Sequence, residues 1–157
     1  MIISQEFALN APRERVWDFF LDVPRSSACM AGVEDVTQVD EKTYRGRIQV
    51  KVGPLRAGFS VTVELSEVQP PERLVLQVQG DDRATGSLVH AVVTAALQPQ
   101  GERTLVSYQM DLSIRGALGR FGGTVIQDVA RKMTAQFVEC VERSLAAQAG
   151  FDGRQDG

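Results

Sequence analysis

The last third of the chain contains a segment that is stable only when laid against a partner surface. From Thr124 to about Ala147, Val125, Val129, Met133, Phe137, Val141 and Leu145 recur every four residues, with Ile126, Ala130 and Cys140 beside them. This is one apolar stripe of a long helix. Gln127, Asp128, Arg131, Lys132, Glu139, Glu142 and Arg143 make a charged opposite face of mixed sign. Almost everything before this segment alternates like strand, so the stripe has to lie on a sheet. A single helix across a broad, curved sheet tends to leave a hollow.

The strand pattern is explicit from Val33 onward. Tyr44, Gly46, Ile48, Val50 and Val52 alternate with Arg45, Arg47, Gln49 and Lys51, and Leu55, Ala57, Phe59, Val61, Val63 and Leu65 alternate with Arg56, Ser60, Thr62 and Glu64. These are two half-buried strands of an antiparallel hairpin turned at Gly53 and Pro54. Further strands are carried by Leu74, Leu76 and Val78, then Ala91, Val93, Ala95 and Leu97, then Val106, Tyr108, Met110, Leu112 and Ile114. Ahead of them, Ile2 to Leu9 reads as a first strand. Asn10 is placed to cap a helix running to about Leu21, with Val16, Phe19 and Phe20 inward and Trp17 on the flank. A second short helix is expected over Arg25 to Met30. The expected fold is therefore α+β, a seven-stranded antiparallel sheet wrapped around a long C-terminal helix, with two short helices after the first strand. Residues 1–148 form one domain, and residues 149–157 are expected to be a disordered tail.

Composition narrows the function. Among 157 residues the formal charge is −3, which disfavours general nucleic-acid binding. The amino terminus has no signal-like pattern and no run approaches a membrane span, which points to a cytoplasmic protein. Cys29 and Cys140 are far apart and His90 is the sole histidine. Two free buried thiols are expected, and no metal site.

Four stretches resemble the CoxG family of carbon monoxide dehydrogenase subunits, within the SRPBCC (START and Bet v1-like) superfamily of helix-grip folds. They are Ala28–Glu34 (ACMAGVE), Val50–Phe59 (VKVGPLRAGF), Ala84–Ser87 (ATGS) and Gly116–Gly123 (GALGRFGG). Ala31 departs from the pattern, since the family usually has proline there. The resemblance covers about residues 1–147. It implies a non-catalytic accessory protein that holds a quinone-like lipid and associates a molybdenum hydroxylase with the inner face of the cell membrane. No covalently bound cofactor is implied.

In an antiparallel meander, connections alternate between the two ends of the sheet. Gly53–Pro54, Gly80–Gly86 and Gly116–Gly123 therefore fall at one end. That end gathers Leu55, Leu118 and Phe121 with Lys51, Arg56, Arg115 and Arg120, a mixture suited to a membrane surface or an acidic partner. It is the expected mouth of the cavity, although Leu118 and Phe121 could equally dock the helix while the arginines remain solvated. Phe59, Val61, Tyr108, Met110, Met133 and Phe137 point toward the shared interior and are the expected cavity lining. The same spacing also describes an ordinary packed core. Tyr108 is the inward polar group expected to hydrogen-bond a ligand carbonyl, unless a backbone carbonyl satisfies it.

Catalytic patterns are weak. His90 is in outward phase, and Asp81 and Asp82 sit in a turn. The glycines at 116, 119, 122 and 123 lack the spacing of a nucleotide loop and suggest flexibility where the helix begins, with Thr124 and Gln127 as a capping box. The alternative readings are an enzyme resembling polyketide cyclases or dehydratases, which would need inward acid and base groups, and a docking subunit with no ligand.

Overall fold

A computed structural model describes the backbone of residues 1–156 and the side chains of residues 1–148. The chain runs β1 (Ile2–Leu9), α1 (Arg13–Leu21), α2 (Val23–Ser27), β2 (Val33–Gln38), β3 (Thr43–Val52), β4 (Leu55–Gln69), β5 (Arg73–Asp82), β6 (Ser87–Gln100), β7 (Arg103–Arg115), a 3-10 turn (Ala117–Arg120) and α3 (Gly123–Asp156). The seven strands form one antiparallel sheet in the order β1-β7-β6-β5-β4-β3-β2. Strands β2 to β7 are thus a continuous meander, and β1 closes onto β7 with Gln5 opposite Tyr108 and Ile3 opposite Met110. The expected fold class is the observed one. The backbone of 149–156 continues α3 where a disordered tail is expected from sequence, and the side chains of 149–157 lie outside the described residues.

The local details differ at the helix ends. Helix α1 is preceded by Pro12 with no side-chain cap, and Asn10 instead donates its N–H to Glu142 Oε1 at 2.9 Å. Helix α2 starts two residues earlier than the sequence suggests, because the Asp22 side chain accepts the Arg25 N–H and proline occupies its first turn. Helix α3 begins at Gly123, where the Gly122 carbonyl accepts the N–H groups of Val125 and Ile126. Thr124 makes no capping bond among the described residues.

Trp17 is core rather than flank, at 4 % exposure. The reason is that α1 is enclosed on more than one side. Arg15 donates to the Leu145 carbonyl at 2.7 Å, tying α1 to the far part of α3, while Thr104 on β7 donates to the Ala11 carbonyl at 2.8 Å. An amphipathic stripe predicts one buried face, and a helix wedged between a sheet and another helix has two.

The largest departure concerns the cysteines. Cys29, just after α2, and Cys140, on α3, form a disulfide with Cα atoms 5.4 Å apart and 111 residues between them in sequence. The expectation of two free thiols is therefore corrected. Sequence distance carried no information about proximity, because the meander returns α3 to the short helices.

Candidate ligand-binding site

The apolar interior is divided. One cluster, at the end closed by α1 and α2, contains Leu9, Val16, Trp17, Phe19, Leu65, Leu97, Val106, Val141 and Leu145, with Phe20 and Phe137 against it. The other, at the glycine-rich end, contains Ile3, Val52, Ala57, Phe59, Leu118 and Ile126, with Val61, Met110, Phe121 and Val129 against it. Among the described residues Val63, Val78, Val93, Tyr108 and Met133 belong to neither cluster. All five are half-buried. In a close-packed interior, apolar side chains lying between a sheet and a helix would be enclosed on every side. Their residual accessibility marks a half-buried belt between the two clusters in the middle of the inner layer.

Small residues recur on the inner face of this belt. Gly46 is paired with Val61, and Val61 with Gly80, so a bulky side chain there has glycine on both sides. Neighbours use the room the glycines leave, since a Cβ on Gly46 would stand 3.4 Å from Val36 Cγ2 and one on Gly80 3.3 Å from Val61 Cγ2. Ala91 and Ala95 continue the small surface on β6, opposite Leu112 and Tyr108.

The six expected lining residues are distributed accordingly. Tyr108 and Met133 lie in the half-buried belt between the clusters. Phe59 is buried and, with Val61 and Met110, forms the wall toward the glycine-rich end. Phe137 forms the opposite wall, its ring 6.1 Å from that of Phe20. The Tyr108 hydroxyl is 2.6 Å from Thr134 Oγ1 on α3, so its partner is a side-chain hydroxyl and not a backbone carbonyl. Sequence reasoning missed Thr134 and also Gln5. The signal for Gln5 was present, since it lies in the inward phase of Ile3, Phe7 and Leu9.

At the glycine-rich end, Lys51, Arg56, Arg115 and Arg120 are exposed, while Leu55 and Phe121 are half-buried. Leu118, expected on the outside, is only 2 % exposed and takes no part in that surface. Phe121 packs against the hairpin, its ring 3.1 Å from where a Cβ on Gly53 would stand. The outer apolar groups are instead Met1, Ile2, Leu88 and Val125, all more than a third exposed. Each begins a strand or helix at this end. Asp111 and Asp128 are exposed there too, the latter paired with Lys132 at 3.3 Å.

Gly116 and Gly119 are held tightly against the backbone, so the flexibility expected where the helix begins is not supported at these two positions. Gly116 has φ +87°, and a Cβ on it would overlap the Gly86 carbonyl oxygen; one on Gly119 would stand 2.7 Å from the Ile114 carbonyl oxygen. The Leu118 N–H donates to Ser87 Oγ at 3.2 Å, and Ser87 Oγ lies 2.8 Å from Thr85 Oγ1. Thr85 in turn donates to Asp82 at 2.7 Å. That hydroxyl, with the N–H groups of Ala84 and Thr85, holds the Asp82 carboxyl below the usual carboxylate range against the opposing effect of burial. Asp82 therefore serves the turn as an ionised acceptor. His90 is exposed.

One surface groove, of about 250 Å³, lies beside the edge strand, between β1 and α3, lined by Ile2, Ile3, Ser4, Gln5, Gln127 and Arg131. A shallow depression of about 510 Å³ lies along β1, β6 and β7, lined by outward residues such as Glu6, Thr94 and Ser107 and also by Gln5 and Tyr108. No helix among the described residues is long and apolar enough to cross a membrane, and no group of three or more His, Cys, Asp or Glu among them could hold a metal.

A sheet gripping one long helix, with two short helices closing one end, is the helix-grip architecture of START and Bet v1-like proteins. Solved structures share it: a conserved protein from Geobacillus kaustophilus has a TM-score of 0.87 at 20% identity, with 94% of this chain and 96% of that one covered. A START superfamily protein from Mycobacterium smegmatis gives 0.67 at 13% identity, covering 94% and 98%, and the Zhui aromatase/cyclase from Streptomyces sp. R1128 gives 0.61 at 14% identity, covering 100% and 98%. At such identities the likeness concerns the fold. Within that class the chain belongs to the CoxG family of carbon monoxide dehydrogenase subunits, which it matches over residues 6–146. No curated protein matches it.

Proposed function

We propose that this chain is a non-catalytic carrier whose hollow shelters an apolar, quinone-like lipid, and that it associates a molybdenum hydroxylase of the carbon monoxide dehydrogenase type with the membrane surface. The observation that carries the reading is the divided core: two packed clusters separated by a half-buried belt that includes Tyr108 and Met133. Such a belt suits a flat apolar ring, with thioether and aromatic groups adapting to its shape. Family membership supports the dehydrogenase partner. The cyclase reading has less support, because Tyr108 is the one acid–base-capable side chain assigned to the belt among the described residues, and chemistry on a polyketide needs both an acid and a base there.

Membrane contact is assigned to the glycine-rich end, where Lys51, Arg56, Arg115 and Arg120 surround exposed Met1, Ile2, Leu88 and Val125. Each basic residue near an anionic bilayer is worth about 1 kcal/mol. A variant with Arg56, Arg115 and Arg120 all changed to glutamate is expected to lose at least about a hundredfold in affinity for anionic vesicles in a flotation assay. Unchanged flotation would remove this end from the membrane interface.

A further inference from the structure

Gln5 is the one inward polar residue on β1 between Ile3 and Phe7, and its amide Nε2 is buried with no hydrogen-bond partner among the described residues. A buried amide donor left unpaired costs about 1 to 3 kcal/mol, so its persistence calls for a purpose. Gln5 lies directly opposite Tyr108 in the β1–β7 register, on the same face of the sheet, and Tyr108 reaches Thr134 Oγ1 at 2.6 Å. Two hydroxyls share one bond, so one hydroxyl proton remains beside the unpartnered Gln5 amide N–H groups. An acceptor oxygen on a ligand would satisfy the amide. Gln5 also lines the groove between β1 and α3, so such an oxygen has a route to it.

We propose that Gln5, Tyr108 and Thr134 form an anchor for a carbonyl oxygen on the ligand's ring, which reaches them laterally between β1 and α3 and not through the glycine-rich loops. This rests on the reading of the hollow as a site for an apolar ligand and adds the chemistry of the head group. The apolar body would lie toward Met133, Val93 and Val78, while the carbonyl accepts from the amide and from the free hydroxyl proton. A hydrocarbon of the same shape would leave the donors unpaired and bind more weakly.

The test compares 2-methyl-1,4-naphthoquinone with 2-methylnaphthalene, the same ring without the two oxygens, by equilibrium dialysis against the full chain. The wild type is expected to retain the quinone about tenfold more tightly than the hydrocarbon. Gln5→Leu and Tyr108→Phe are each expected to reduce that preference to about threefold or less while leaving hydrocarbon binding intact, which also confirms that the variants are folded. Thr134→Val serves as a second route should either variant lose the hydrocarbon as well. Equal binding of the two probes by the wild type, or a preference untouched by all three substitutions, overturns the anchor and leaves the apolar hollow standing. Failure to bind either probe overturns the hollow as a ligand site, and the anchor with it.

Discussion

Replacing Cys29 and Cys140 by serine is expected to lower the unfolding free energy of the oxidised protein by about 4 kcal/mol, since the bond closes a loop of roughly a hundred residues in the unfolded chain. The two sulfurs join the segment just after α2 to α3 across 111 residues of sequence. They therefore restrict the unfolded ensemble far more than a bond between near neighbours would. Urea unfolding of the oxidised protein, the protein in reductant and the double-serine variant measures the effect. Reduced wild type and the variant should coincide, both well below the oxidised form. Three superimposable curves would show that the cross-link contributes nothing. Because cytoplasmic thiols are ordinarily kept reduced, alkylating the protein at the moment of cell lysis will show which of the two stabilities applies in its own compartment.

The second large effect is expected at Gly116. Its backbone, at φ +87° and ψ −156°, lies in a region that side-chain-bearing residues scarcely occupy, and an added Cβ would meet the backbone carbonyl of Gly86. Neither partner is the movable end of a long side chain. Gly116→Ala should therefore cost about 3 kcal/mol or more, combining backbone strain with overlap. Gly122→Ala, which meets nothing within 4 Å, is the control and should cost a few tenths of a kcal/mol. Equal stability of the two variants would show that the tight approach of β7 to the β5–β6 loop is not a constraint. Since α3 begins only a few residues later, this packing also fixes the angle at which the helix crosses the sheet.

Much of this architecture was legible from residue periodicity. Alternation such as Tyr44 to Val52 against Leu55 to Leu65 identified the strands, and the four-residue recurrence from Val129 to Leu145 identified the helix, because each period reflects one buried face. Connection parity placed Gly53, Gly86 and Gly116 at one end. What periodicity does not encode is contact between segments remote in sequence. The Cys29–Cys140 bond, the burial of Trp17 and the tie from Arg15 to Leu145 all arise where the short helices meet the far part of α3.

The site was legible only in outline. Phe59 and Phe137 belong to the two packed clusters while Tyr108 and Met133 lie between them, and only the packing makes that distinction. Leu118 misled because a leucine in a glycine-rich loop reads as exposed, whereas the Ser87 hydroxyl and the sheet draw it inward. Gln5 was passed over because a polar residue in a strand is ordinarily assigned to the solvent side, even when its neighbours at two-residue spacing are Ile3 and Phe7.

Native mass spectrometry of the chain purified without detergent tests the central claim most directly. A hollow that holds an apolar ligand predicts a species heavier than the polypeptide by the mass of one lipid-like molecule, released on denaturation and absent from a folded Met133→Trp variant in which the indole fills the space. Bare polypeptide from the wild type that also takes up no added quinone would contradict it.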